Sequence, residues 1–421
     1  MYGGDWLTRL TDLARDARNP RQWHVPANVW GLGVTSLLTD VSSEMVLSVL
    51  PAYLVMTGGL APLALGIAAG VHEGGPMLAA WAGGLIADRS GQRKLTAGAG
   101  YALSAICRLG WFALSGRTIT AIAPLVLFDR MGKALRTAPR DAMISLSVPP
   151  SQLATAFGVH RALDAAGAAL GPLLAFVLLW RQPNRYDVIF FTSFVVAVLG
   201  VAALALLVDE APLHEETGRD RSRLASRDVL AVFADASVRP VLILATAFAL
   251  VTISDAFIYL LLVQRSHAGA QWIPLLYTGT SLAFLALAVP VGYLADRIGA
   301  RSIFVFAHVL LLLAYAAAFG GFNVWPWNAV TCVALLGAYY ACSDGVLAGL
   351  ASSVLPAASR AVGLAWVATG VSLGRLCSAI AFGALWTRAG DRIAVVAFTT
   401  ALLVVLSAAI ASRSIGRAVA A

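Results

Sequence analysis

The stretch Gly84-Leu85-Ile86-Ala87-Asp88-Arg89-Ser90-Gly91-Gln92-Arg93 returns as Gly292-Tyr293-Leu294-Ala295-Asp296-Arg297-Ile298-Gly299-Ala300-Arg301. Both copies read G-x-[IL]-A-D-R-x-G-x-R, and Asp88 and Asp296 lie 208 positions apart, close to half of the 421-residue chain. Two echoes have similar offsets: Thr39-Asp40 with Ser254-Asp255, 215 apart, and the pair Gly167/Gly171 with Gly370/Gly374, 203 apart. Repeats in the same order at near-constant spacing are the mark of a parallel internal duplication.

The segments around the two copies are strongly apolar. Hydrophobic residues make up 59% of the chain and charged residues only 12%, and the mean hydropathy is +0.79. A water-soluble shape of this size lacks the interior to hide so many apolar side chains, so the chain reads as an integral membrane protein. The net charge of +8 does not indicate a nucleic-acid partner, because the arginines fall mainly between the apolar runs. Cys107, Cys332, Cys342 and Cys377 lie inside apolar segments without CxxC spacing, which fits packing better than a disulfide or a metal site.

A spanning helix needs about 20 mostly apolar residues. Twelve stretches meet that rule: 29–57, 62–86, 96–115, 119–144, 152–180, 188–208, 240–264, 272–295, 302–320, 327–353, 361–387 and 393–411. The apolar run after residue 26 is too long for a signal-peptide core and lacks a small-residue cleavage site, so the amino terminus is expected to be retained. Outside the spans, Arg117, Arg181, Arg185, Arg265, Arg388 and Arg392 fall on one side, and the other side carries far more Lys and Arg. The positive-inside rule then puts both termini in the cytoplasm and the protein in the cytoplasmic (inner) membrane. Trp23, Trp30, Trp180, Trp325 and Trp327 flank spans as interfacial anchors.

The only long polar stretch, 209–238, divides the chain into two sets of six spans. The organisation expected is a cytoplasmic tail over 1–26, a six-helix bundle over 27–208, a cytoplasmic linker over 209–238 with a short surface helix near 226–236, a second bundle over 239–411 and a tail over 412–421. The fold class is an all-α membrane protein of twelve transmembrane helices in two pseudo-symmetric bundles.

In its repeated loop, its span count, its linker and its duplication, the chain resembles the major facilitator superfamily, whose signature after spans two and eight is G-x-L-A-D-R-x-G-R-K. The resemblance implies secondary transport by alternating access and a cytoplasmic gate at Gly84, Asp88, Arg89, Gly91, Arg93, Asp141, Asp296 and Arg297. Physically, Gly84 lets helices approach, Asp88 can face a helix N-terminus, and Arg89 and Arg93 can pair with a carboxylate such as Asp141. Leu127-Phe128-Asp129-Arg130-Met131-Gly132 in span four is similar to the superfamily's intramembrane arginine motif, associated with proton coupling. Gly167-Ala168-Ala169-Leu170-Gly171-Pro172 in span five is similar to the G-x-x-x-G-P of its antiporters, although Leu173-Leu174-Ala175 replaces the second glycine cluster.

Charge within the spans carries the functional reading. An ionisable group at a helix centre costs at least roughly 2.5–3.5 kcal/mol on insertion scales, so each needs a partner or an aqueous cavity. The bases are Arg108, Arg130, Lys133, Arg136, Arg140, Arg161 and Arg375; the acids are Asp40, Glu44, Glu73, Asp129, Asp141, Asp164, Asp255 and Asp344. Asp40 and Glu44 share a face of span one and can share a proton, while Pro51 bends the helix above them. Glu73 beside His72 is a further acid. Asp129, Lys133, Arg136 and Arg140 advance by three or four residues as a mostly basic stripe, and Arg161 or His160 can pair with Asp164. Pro139 is expected to break span four near Arg136, Arg140 and Asp141, which then read as latch groups. Arg108 is either a structural pair or a site residue, Arg375 either that or a bridge between halves, and Asp255 and Asp344 either hydrogen-bonded structural acids or site residues.

Enzyme motifs fail where chemistry would require them. His72-Glu73 is not followed by the second histidine of a zinc helix, Gly132-Lys133 lacks the glycine of a phosphate loop, and no GxSxG is present. No metal is expected, and His72 and His160 lack companion ligands. The expectation is a non-enzymatic secondary active transporter acting as a monomer, with a small-molecule substrate, the lipid bilayer as its other partner, no nucleic acid, no cofactor, and the proton gradient as driving force. Asp40, Glu44 and Glu73 are expected to take protons. Arg130, Lys133, His160, Arg161, Asp164, Asp255, Asp344 and Arg375 are expected to meet an anionic or polar solute, which is exported. Import of an anion by a symporter or uniporter, and a non-transporting membrane sensor, are the alternatives.

Overall fold

The computed structural model describes residues 25–75, 92–113, 119–149, 152–210, 238–320, 324–355 and 360–411. Among these the chain is helical with no strand, as a chain in lipid must be if every backbone group is to find its hydrogen bond within its own segment. The rods are α1 (Ala27–Thr57), α2 (helical through 62–75), α3 (Arg93–Ala113), α4 (Ile119–Leu146), α5 (Leu153–Arg181), α6 (Tyr186–Leu207), α7 (Val238–Arg265), α8 (Trp272–Ile298), α9 (Ala300–Phe319), α10 (Trp327–Val354), α11 (Arg360–Ala389) and α12 (Asp391–Ala411). Of these, nine described helices are long and apolar enough to cross a bilayer. The interfacial anchors expected at Trp30, Trp180 and Trp327 are exposed.

Three helices depart from a plain rod. α1 loosens into a π-helical last stretch, Ala52–Thr57, directly after Pro51, whose missing N–H removes one rung of the ladder. α4 runs unbroken through Pro139, contrary to the break expected from sequence: a proline deletes one hydrogen bond, and the long packing face of α4 on α3 holds the rod in line. α7, expected to be continuous, is interrupted at Thr252-Ile253-Ser254 between Val238–Val251 and Asp255–Arg265. The freed backbone is answered from the side. Ser378 donates to the Thr252 carbonyl, and the Ile253 N–H donates to the Tyr315 hydroxyl at 2.7 Å.

The two halves repeat each other's packing. α1 lies against α5 and α6, and α7 correspondingly lies against α11 and α12; α3 pairs with α4 as α9 pairs with α10. The sequence reason for the tightest of these is the small-residue pair on α5. A Cβ on Gly167 would sit 2.5 Å from the Leu37 carbonyl oxygen and one on Gly171 2.6 Å from that of Val41, so only glycine lets α1 and α5 come this close.

The halves join toward the end carrying residues 58–61, 182–185 and 266–271. There Trp272 of α8 packs on Phe176 and Trp180 of α5 at centroid distances of 5.4 and 5.7 Å. Across the other seam, Gly66 of α2 approaches Ala379 of α11, and the Leu63 N–H donates to Thr387 Oγ1 at 3.0 Å. Toward the opposite end, no described residue lies within 4 Å of a Cβ built on Gly158 of α5 or Gly292 of α8, and Val289 is 80% exposed.

Gly171→Ala should therefore lower the melting temperature of the purified protein, by an overpacking cost of about 1–3 kcal/mol. Gly158→Ala, placed in open space on the neighbouring stretch of the same helix, should leave the melt unchanged or slightly raised.

Candidate functional site

The charged side chains singled out from sequence gather into two clusters. In the first, Asp40 of α1 faces the basic stripe of α4, with Lys133 Nζ at 3.6 Å and an Arg136 guanidinium nitrogen at 3.5 Å. Asp164 of α5 is the second acid here, close to Asp40. Asp164 accepts a 2.7 Å hydrogen bond from Ser36 and stands 4.0 Å from Arg161. Ser36 in turn receives Arg140 at 3.3 Å. Arg136 is only 1% exposed and lies over the Tyr101 ring at 4.5 Å. A guanidinium can be held so deep because a carboxylate and an aromatic face both answer its charge.

Several sequence expectations change here. The acid beside Asp40 is Asp164, while Glu44, one turn along α1 and half-buried against Gly171, makes no ion pair or hydrogen bond with a described residue. His160 does not pair with Asp164: neither of its ring nitrogens has a partner among the described residues, because Ser36 and Arg161 already occupy that carboxylate. Asp141 pairs with its own neighbour Arg140 at 2.9 Å, and the Arg89 expected to reach it lies outside the described residues. Gly84, Asp88, Arg89 and Gly91 lie outside the described residues. At Arg93, the backbone N–H is taken by Glu210 Oε1 at 2.9 Å, which caps the start of α3. In the second copy, Asp296 and Arg297 are exposed, and Arg297 lies over the Tyr293 ring at 4.3 Å.

The second cluster is a chain of charges that crosses from one half to the other. Asp129 of α4 binds Arg108 of α3 at 2.8 Å and its own neighbour Arg130 at 2.6 Å. Arg130, 4% exposed, continues to His72 of α2 at 3.0 Å. His72 stands 3.8 Å from Glu73, and Glu73 meets Arg375 of α11 at 3.5 Å. Arg375 ends the chain on Asp344 of α10 at 3.2 Å. Two arginines thus share Asp129, and Arg130, His72 and Glu73 lead from it to the seam. Arg375, which the sequence left open, bridges the halves.

Beside the seam lies a small cavity of about 90 Å³. Its walls come from His72 and Glu73 of α2, the break in α7 with Asp255, Tyr277 of α8, Tyr339 and Tyr340 of α10, and Arg375. The tyrosines and the α7 break were not anticipated from sequence. The Ser254-Asp255 pair, a common helix-start signature after the β-branched run Val251-Thr252-Ile253, was the signal available for the break. Among the described residues, no group of three or more His, Cys, Asp or Glu side chains could hold a metal ion.

Twelve described helices in two like halves, with a charged cavity at the seam between them, are the architecture of a membrane transporter rather than an enzyme. The model of the Major Facilitator Superfamily matches residues 32–273, and the chain belongs to that superfamily. An uncharacterised MFS-type transporter of Methanocaldococcus jannaschii is 28% identical over 384 residues, covering 89% of this chain and 92% of that protein. An uncharacterised protein of Mycobacterium tuberculosis is 29% identical over 295 residues, covering 68% of this chain and 69% of its own length. Among solved structures, the nucleoside transporter NupG superposes with a TM-score of 0.77 at 14% identity, covering 91% of this chain and 98% of that one. A bacterial homolog of the human lysosomal transporter Spinster, inward-facing and unoccupied, gives 0.69 at 14% identity, covering 94% and 96%.

Asp129→Asn leaves Arg108 and Arg130 buried without their shared carboxylate. Breaking a buried pair from one side costs about 3–5 kcal/mol, so this variant should melt far below the wild type in detergent, or fail to accumulate in the membrane.

Proposed function

We propose that this transporter is a proton-coupled secondary carrier that exports a small charged organic solute by rocking its two halves around the seam cavity. The observation that carries this reading is the Glu73–Arg375 ion pair, which ties the halves together at the cavity wall. A charge pair at low dielectric is strong while both members are ionised and weakens when its acid takes a proton. Protonation of Glu73 therefore biases the balance between the two access states.

Glu44, half-buried one turn from Asp40 and in no ion pair with a described residue, is taken as the second proton acceptor. Asp40 belongs to the same coupling set through Lys133, whose head is partly exposed and can trade that carboxylate for an anionic group of the solute. Arg161, more exposed, offers a second cation on α5. Arg130 and Asp164, held in tight pairs, set the geometry of these groups. Taking the arginine-poor side as external, the end joined by Trp272, Phe176 and Trp180 faces outward, and solute loads from the cytoplasm. The G-x-x-x-G-P run of α5 favours exchange of solute against protons.

The test is solute flux in proteoliposomes with an imposed pH gradient. Wild type should accumulate solute on the side from which protons leave. Glu73→Gln and Glu44→Gln should retain exchange of solute for solute while losing at least about tenfold of the gradient-driven flux, the effect of roughly 1.4 kcal/mol in a coupling step. Lys133→Ala should weaken solute binding. Full gradient-driven flux in all three variants would remove the coupling scheme, and accumulation together with protons would reverse its direction.

A further inference from the structure

Two acids, Glu73 and Asp255, line the seam cavity with His72 and one arginine, Arg375, and Asp344 also pairs with Arg375. Glu73, Asp255 and Asp344 face a single arginine, Arg375, whose two terminal nitrogens are already given to Glu73 at 3.5 Å and Asp344 at 3.2 Å. Asp255 is left over. It forms no ion pair with a described residue, and the side chain that reaches its carboxylate is the Tyr340 hydroxyl. A carboxylate in the cavity wall with a neutral donor on one side retains acceptor positions directed at whatever enters.

The surroundings of Asp255 are aromatic. Tyr277, Tyr339 and Tyr340 line the same cavity, with Tyr339 and Tyr340 packed at a centroid distance of 5.0 Å and Tyr277 held edge-on by Tyr259 at 4.6 Å. Tyr259 is itself fixed by a 2.7 Å hydrogen bond with Thr280, and the α7 break that presents Asp255 is fixed by Ser378 and Tyr315. The wall is thus built and braced. Aromatic faces around a carboxylate attract a cation and repel an anion, and the one arginine in this wall, Arg375, is already given to Glu73 and Asp344.

We propose that Asp255, with Tyr277, Tyr339 and Tyr340, is an ammonium-binding subsite, so that the transported solute carries a protonated amine. This rests on the carrier reading above and sharpens it. Lys133 and Arg161 belong to the Asp40–Asp164 cluster and do not line this cavity, so the inference concerns the positive end of the solute, which enters the second half of the protein. The competing role for Asp255 is purely local, a first-turn acid offsetting the positive end of the second half of α7.

Two matched probe sets separate these roles: phenylalanine, phenethylamine and hydrocinnamate, and leucine, isoamylamine and isocaproate. Each set holds the carbon skeleton nearly constant and offers both charges, the ammonium alone, or the carboxylate alone. Purified wild-type protein should be thermally stabilised by ammonium-bearing members, because a ligand that binds only the folded state raises its melting point. Asp255→Asn should weaken that binding at least about tenfold, Asp255→Glu should recover most of it, and Tyr340→Phe should give an intermediate loss. The response to the carboxylate-only probes should be the same in all four proteins.

A lower melting point for Asp255→Asn with an unchanged ammonium response would leave the local role and overturn the subsite. So would stabilisation of wild type by no ammonium-bearing probe. The same probes, radiolabelled, report flux in proteoliposomes. An ammonium probe that binds through Asp255 but is not moved would overturn the carrier reading while leaving the subsite in place.

Discussion

The structure depends on pairing charges where water is scarce. Arg108, Asp129, Arg130, His72, Glu73, Arg375 and Asp344 run as one chain of contacts from the middle of the first half, across the seam, into the second. None of these groups is cheap at membrane depth by itself, and each is tolerable because the next one answers it. The link at Glu73 and Arg375 differs from the rest because its members belong to different halves. Any relative movement of the halves that lengthens it exposes two opposite charges, which then require a proton, a solute group or water in exchange. In the proposed cycle that requirement couples movement to binding.

Packing sets which parts can move. Within each half the helices approach through small residues, Gly167 and Gly171 on α5 against α1, and Gly374 on α11 against α7, where a Cβ would lie 2.7 Å from Ala249. Contacts this close resist sliding. Between the halves, aromatic packing of Trp272 on Phe176 and Trp180 and a polar bridge from Leu63 to Thr387 stand beside an equally close glycine approach of Gly66 to Ala379. Alternating access in the proposed cycle requires the joint between the halves to part, and Gly66 and Gly383 make its α2–α11 side as closely fitted as the contacts inside each half.

The break in α7 links this architecture to chemistry. A continuous helix would bury its backbone groups in its own ladder and place position 255 on a regular helical face. The interruption at 252–254 instead sets Asp255 at the start of a new helical segment, in the cavity wall, while Ser378 and Tyr315 take up the loosened backbone. Its counterpart in the first half, Asp40, sits in an unbroken stretch of α1 and is enclosed by Lys133, Arg136 and Asp164. Duplicated positions have therefore taken different surroundings in the two halves, one acid surrounded by bases and one by tyrosines.

The sequence alone determined the twelve spans, the two-fold repeat and the set of intramembrane charges, because these follow from hydropathy over about 20 residues and from residue identity, neither of which depends on distant contacts. Helical spacing also placed Lys133, Arg136 and Arg140 along one stripe. Which charge meets which was decided only in three dimensions. Asp164 rather than Glu44 stands beside Asp40, Asp141 turns to Arg140, His160 is bypassed, and Glu73 finds Arg375 some three hundred residues away. Ion pairs act over a few ångströms and spacing along one helix fixes only which face a side chain takes, so the partner is set by how the helices of the two halves come to lie against one another.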